Sequence, residues 1–232
     1  MKNKGFTLVE LLVVIAILGI LMVALVPNIM GAIAKAQMQT MAKQGADIVN
    51  ALNTESLRDQ DLWPHLTEKD GLSDDTDEIS GNTYGTSTEY FKKLFDIENQ
   101  NGGNWRPYID VKLDFLWGNG VPSAQPGSLD QRNVAWTIVA GASSMGGEIP
   151  ALITRNADTS SFVTSGNNDM SKNKNEVPLE KYPNPFGKKG CVVVMKDGSA
   201  SARPSRECRL CDIYSKRTVN IPDGMQLKYL EP

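Results

Sequence analysis

The sequence predicts an α+β protein in which one long N-terminal helix, wholly apolar in its first half, packs its second half on a small antiparallel β-sheet with long loops. Three observations lead there. From Leu11 to Val26 every residue is apolar, and no charge occurs between Glu10 and Lys35. Ile29, Ile33, Ala36, Met41, Ile48 and Leu52 then fall at near-helical spacing, with Lys35, Gln39, Lys43, Gln44 and Asp47 elsewhere on the surface, so this half has one apolar face. Further on, short apolar runs alternate with segments rich in Gly, Pro, Asn and Ser, which is the pattern of strands and surface loops.

At about 1.5 Å per residue, a helix from Phe6 to Val26 is roughly 30 Å long, the thickness of a hydrocarbon core. Lys2 and Lys4 precede this segment and nothing basic follows until Lys35. The start is therefore predicted to face the cytoplasm and the polar domain to lie across the membrane, in an oxidising space. No short-side-chain cleavage motif closes the apolar run, as it would in an ordinary secretory signal. The predicted organisation is a leader over 1–5, a membrane or filament-core half-helix over 6–27, an amphipathic half-helix over 28–56, and a globular domain over 57–232. Pro27 removes an amide donor and crowds the preceding turn. It marks either a kink or the point where the helix leaves lipid.

Glu10 is the exception in the apolar segment. A carboxylate at the centre of a lipid-spanning helix costs about 2.5–3.5 kcal/mol on insertion scales, so one retained there calls for a positive partner. The stretch Lys4-Gly5-Phe6-Thr7-Leu8-Val9-Glu10, followed by the unbroken apolar run, resembles the class III signal of type IV pilins and of the pseudopilins of type II secretion systems. That resemblance covers about the first 30 residues. It implies that a prepilin peptidase cuts between Gly5 and Phe6 and methylates the new Phe6 amine, and that Glu10 neutralises a terminal amine, in the filament that of an adjacent subunit. The residues agree with it physically. Glycine at the cut leaves an extended backbone unhindered in a protease cleft, and the cut releases an ammonium where a carboxylate needs one.

Residues 54–86 read as a long polar connection anchored by Trp63 and Leu66, with His65, the only histidine, as a surface or packing residue. Asp70, Asp74, Asp75, Asp77 and Glu78 make either a solvated acidic turn or a weak calcium loop, without the spacing of an EF-hand. The resemblance implies calcium in some major pseudopilins, with no residue-by-residue match here, and no other cofactor is expected. Thr86 and Glu89 form a predicted capping box, followed by the amphipathic residues Tyr90, Phe91, Leu94, Phe95 and Ile97. Predicted strands are 108–115, 134–140, 151–154, 191–196 and 226–230, with loops over 117–130 and 164–176. Asp197-Gly198 suits a tight hairpin turn. The sheet is expected to take the helix on one face and solvent on the other.

Cys191, Cys208 and Cys211 are disulfide candidates, either within the Cys208-x-x-Cys211 pair or from one of these to Cys191. Unpaired thiols, zinc binding with His65 and thiol redox chemistry are the other readings.

The net charge of −3 becomes −5 once Lys2 and Lys4 leave with the leader, a poor match for nucleic acid over the whole surface. No Ser-His-Asp order, phosphate loop or dinucleotide fingerprint is apparent, which argues against an enzyme. The leading expectation is a structural pseudopilin of type II secretion, in the inner membrane of a bacterium. Its expected partners are prepilin peptidase, further copies of itself, other pseudopilins, a platform protein and secreted substrates. The alternative is a major or minor type IV pilin with a role in adhesion, motility or DNA uptake, the last predicting a basic groove from Arg203, Arg206, Arg209, Lys216 and Arg217. A membrane-anchored protein that never polymerises is a third reading.

Overall fold

The computed structural model describes residues 7–58, 61–66, 83–102, 105–118, 120–125 and 127–232; the side chains at 24, 27 and 28 lie outside the description. Helix α1 runs from Leu8 to Ser56, and its helical backbone continues through Pro27. The chain forms two compact units, 1–37 and 38–232. In the first, the described apolar side chains of α1 other than the half-buried Ala34 are exposed, Leu8 and Val23 each at 78 %. Among the described residues no helix is long and apolar enough to cross a membrane. The span expected from Phe6 to Val26 includes Phe6 and the side chain at 24, which are not described.

The second unit is built on a five-stranded antiparallel sheet in the order β5-β4-β2-β1-β7. Its strands are β1 (Trp136–Ala140), β2 (Pro150–Thr154), β4 (Gly190–Met195), β5 (Ala200–Pro204) and β7 (Lys228–Leu230). Four of the five predicted strands are present within two residues at either end. The predicted strand at 108–115 is absent. Its backbone bonds scatter, Tyr108 N–H to the Leu94 carbonyl and Phe115 N–H to that of Lys112, and a 3₁₀ turn covers Leu113–Leu116. Alternating exposure is thus achieved without a ladder partner. A small sheet of β3 (Asn167–Asp169) and β6 (Thr218–Asn220), polar and three residues each, sits where a loop was expected.

Met38, Met41, Ala42, Gly45, Ile48, Val49 and Leu52 form one buried stripe on α1 at intervals of three and one. Ile29, Ile33 and Ala36, predicted on the same face, are exposed. Length explains the limit: strands of five or six residues are about 17–20 Å long, which matches the roughly 20 Å of helix between Met38 and Leu52. Gly45 is the point of closest approach. A Cβ built there would stand 2.8 Å from the Trp136 ring in β1 and 2.8 Å from a Val194 methyl in β4.

Every residue of β1, β2 and β4 is buried, so the sheet is covered on both faces rather than bare on one. By strand alternation Trp136 and Val194 face α1, whereas Cys191 faces away, against Cys208. The larger irregular part of the domain supplies that second cover. Helix α2 (Ser87–Leu94) carries the expected capping box, with Glu89 N–H donating to Thr86 Oγ1 at 3.2 Å and Thr86 N–H to Glu89 Oε2 at 3.3 Å. It buries Tyr90, Phe91 and Leu94. The β4–β5 hairpin turns at Asp197-Gly198 as expected: Gly198 has φ +83° and Asp197 Oδ1 accepts from Ser199 N–H at 2.8 Å.

Gly45→Ala gains about 1 kcal/mol of helix propensity but drives a methyl into the fully buried Trp136. Overpacking of that kind costs about 1–3 kcal/mol. The expected outcome is a lower denaturant midpoint at unchanged m-value, read by Trp fluorescence.

Candidate functional site

Two places concentrate interacting polar groups: the start of α1, and the junction where the end of α1 meets the sheet.

At the helix start Thr7 is the N-cap. Glu10 Oε2 accepts from Thr7 N–H at 2.8 Å and from Thr7 Oγ1 at 2.7 Å, while Glu10 N–H reaches Thr7 Oγ1 at 3.3 Å. This reciprocal arrangement satisfies orphan amide donors of the first turn and sets a carboxylate at the positive end of the helix dipole. Only Oε2 is engaged; among the described residues Oε1 has no partner and no cation pairs with Glu10. Reading Glu10 through the cost of its charge alone missed Thr7. The signal was legible, because Thr-x-x-Glu ahead of an apolar run is the same signature that predicted the Thr86 box. Gly5 and Phe6, the expected cleavage and methylation residues, lie outside the described residues.

At the junction, Lys196 follows β4. Its ammonium donates to the carbonyls of Ala142 and Ser143, and to that of Met145 at 2.9 Å, in the connection between β1 and β2. It also sits 5.4 Å from the centre of the Trp63 ring. Asn53, in the last turns of α1, donates through Nδ2 to the Lys196 carbonyl at 2.7 Å. One buried residue thus joins the helix end, the β1–β2 connection and β4. Burial pulls the Lys196 ammonium below its ordinary value, against the charges of Asp61 and Glu148.

Beside it, Asp61 Oδ2 accepts from Ser143 Oγ and lies 3.2 Å from His65 Nε2, and Asp61 Oδ1 accepts from Trp63 N–H at 3.2 Å. His65, expected as a surface or packing residue, is half-buried, and Asp, Ser and His side chains meet here. Their order is not that of a nucleophile and its base, since Ser143 donates to the carboxylate and not to the imidazole. Burial alone pushes the Asp61 carboxyl up. Hydrogen bonds from His65, Ser143 and the Trp63 N–H, with the His65 charge, outweigh it and hold the carboxyl at about 2.

Cys191 and Cys208 come together, with sulfurs 3.3 Å apart, and Cys211 does not join them. His65 is at the Asp61 junction, so the zinc reading gathers no ligand set. Among the described residues no group of three or more His, Cys, Asp or Glu side chains could hold a metal ion. Asp70, Asp74, Asp75, Asp77 and Glu78 lie outside those residues. Of the basic residues, Arg206, Lys216 and Arg217 are exposed, Arg203 and Arg209 are half-buried, and Arg217 stands 4.0 Å from Asp197.

Residues 1–26 match the family model for the prokaryotic N-terminal methylation motif. Over 71 residues the chain is 42 % identical to the type II secretion system core protein G of Aeromonas hydrophila, covering 31 % of this chain and 48 % of that protein. The chain thus spans about half the length of this curated relative. No solved structure matches it significantly.

The depressed Asp61 carboxyl makes the junction acid-sensitive with a defined sign. Its contribution to stability is fully present above the ordinary carboxylate value of 3.8 and is lost as pH falls toward about 2. Discounted for the solvent that still reaches this carboxylate, the difference corresponds to about 1 kcal/mol. Denaturant midpoints for wild type and Asp61→Asn, measured from pH 5 downward, are expected to converge as the pH reaches that lower limit.

Proposed function

We propose that this chain, pilin-like in its N-terminal methylation motif and in its α+β fold, is a structural pseudopilin of a type II secretion pseudopilus. In this reading a prepilin peptidase cuts between Gly5 and Phe6 and methylates the Phe6 amine. The subunit is held in the inner membrane by the first half of α1, N-terminus inward, and enters a filament when that half leaves lipid to pack on the helices of neighbouring copies and of other pseudopilins. Extraction is driven from outside the chain, through a membrane platform protein, and growth guides or displaces secreted proteins.

The observation that carries the reading is a lone acid on an exposed apolar helix, just inside the matched methylation motif, with one carboxylate oxygen capped and the other without a partner among the described residues. Thr7 fixes the carboxylate through Oε2, which leaves Oε1 to meet an ammonium arriving from a neighbouring subunit. Bringing the two charges together replaces two separately desolvated ions by one neutral pair, a contact that sets the register of insertion. Resemblance to a core protein of type II secretion favours this reading over an adhesive, motile or DNA-uptake type IV pilin.

Capping and charge pairing are separable by mutation, because Gln also completes a capping box but carries no charge. Glu10→Gln is expected to keep the helix start and lose incorporation into filaments, measured by crosslinking in fractionated membranes. Thr7→Ala removes the cap at a cost of about 1 kcal/mol and is expected to keep incorporation. Incorporation of Glu10→Gln at the wild-type level would overturn the pairing. Mass spectrometry of the mature N-terminus is expected to find N-methyl-Phe6, and an unprocessed Met1 in assembled material would overturn the processing reading.

A further inference from the structure

The three cysteines are not equivalent. Cys191 lies in β4 on the face turned away from α1, and Cys208 follows the 3₁₀ turn Ser205–Glu207 that ends the β4–β5 hairpin. That turn folds the chain back over the sheet, so the two sulfurs stand 3.3 Å apart with both residues buried. Cys208 Sγ is further held against the carbonyls of Arg203 at 3.4 Å and Pro204 at 3.5 Å. Cys211, in the short helix α3 (Leu210–Ile213), is buried separately and has no sulfur contact among the described residues. Sequence spacing alone leaves the pairing open between Cys208-x-x-Cys211 and a link from one of these to Cys191. The fold brings together the pair that is 17 residues apart.

We propose that Cys191 and Cys208 are joined by a disulfide, and that Cys211 remains a thiol. The oxidising setting in which the bond forms rests on the exported topology of the previous subsection; the choice of partners does not. The electron acceptor is a disulfide, carried by an oxidoreductase or a small molecule. Before the turn closes either thiol can open the exchange, and the balance is the same from Cys208 as from Cys191. The Cys208 thiolate attacks the acceptor and expels one thiolate, leaving a mixed disulfide on Cys208. Cys191 then loses its proton, attacks the Cys208 sulfur and expels the second thiolate. Two protein thiols have been oxidised and one acceptor disulfide reduced to two thiols. Both sulfurs are buried, so the exchange belongs to folding, before the 205–208 turn closes on β4, and the finished bond is shielded from reductants.

The bond bears on the most irregular part of the domain. Cys208 carbonyl accepts from Val177 N–H at 2.8 Å, Leu210 N–H donates to Asn175 at 3.0 Å and Cys211 N–H to Asn173 at 2.7 Å. Fixing Cys208 to β4 therefore fixes the 173–177 stretch through backbone bonds.

The test uses the full chain in detergent, reduced, unfolded and refolded with oxidised and reduced glutathione, then alkylated in denaturant and mapped by peptide mass spectrometry. The expected result is a linked Cys191–Cys208 peptide pair with alkylation at Cys211 alone, and no alkylation in Cys211→Ser. A Cys208–Cys211 link, or alkylation of all three, would overturn the pairing. Because the wild type carries the decisive readout, failure of a variant to fold leaves the test intact. The same map from intact bacteria quenched with a permeant alkylating agent reads the compartment. The linked pair there supports the whole proposal, whereas three free thiols in cells with the link formed in vitro would overturn the exported setting and uphold the pairing. Added reductant is expected to lower the denaturant midpoint of wild type and of Cys211→Ser, and to leave that of Cys191→Ala unchanged.

Discussion

The fold depends on how closely one helix approaches one sheet. Gly45 lets the backbone of α1 come down onto Trp136 and Val194, and the flanking residues Met41, Ala42, Ile48, Val49 and Leu52 fill the space beside that contact. A buried aromatic ring under a bare helix backbone is a large apolar area closed by a single geometry. The strands touching it, β1 and β4, are separated by β2 alone, so the contact spans the centre of the sheet. Everything further out is positioned relative to this seam, from the α2 hydroxyl of Ser87, which donates to the Trp136 carbonyl at 2.8 Å, to the hairpin turn under Asn53.

The two halves of α1 use the same apolar residue types for opposite ends. From Met38 onward the stripe is narrow and buried, while nearly all the described apolar side chains before it are exposed. A helix apolar all round finds its stability in a surrounding of lipid or of other helices. The Thr7–Glu10 box sits at the very start of that half, where a charge near open amide donors is cheapest to keep.

How much of this was readable from residues alone follows from sequence distance. The helix, the Thr86 cap, the Asp197-Gly198 turn and four strands are local patterns and appear where composition and period put them. The reach of α1 over the sheet was not local, since it depends on strand length, and it ends nine residues short of Ile29. The Asp61, Ser143 and His65 cluster joins residues up to 82 positions apart, and no pattern in one segment announces it. Residues 108–115 illustrate the converse: alternation was present, but a strand needs a partner, and β1 is already paired on both sides by β2 and β7. The β3–β6 pair lacked any apolar or β-branched signature beyond Thr218 and Val219, so polar residues hid a real ladder.

The Lys196 ammonium sits among three main-chain oxygens of the β1–β2 connection, a position that a dissolved ion would otherwise have to find. Being tethered to β4, it arrives with the folding of its own strand and at a concentration fixed by the chain, independent of the surrounding medium. Its rounded, freely rotating donors address three acceptors converging from different directions. The shape of this loop is therefore inherited with the polypeptide and indifferent to the salts of whatever space the domain enters.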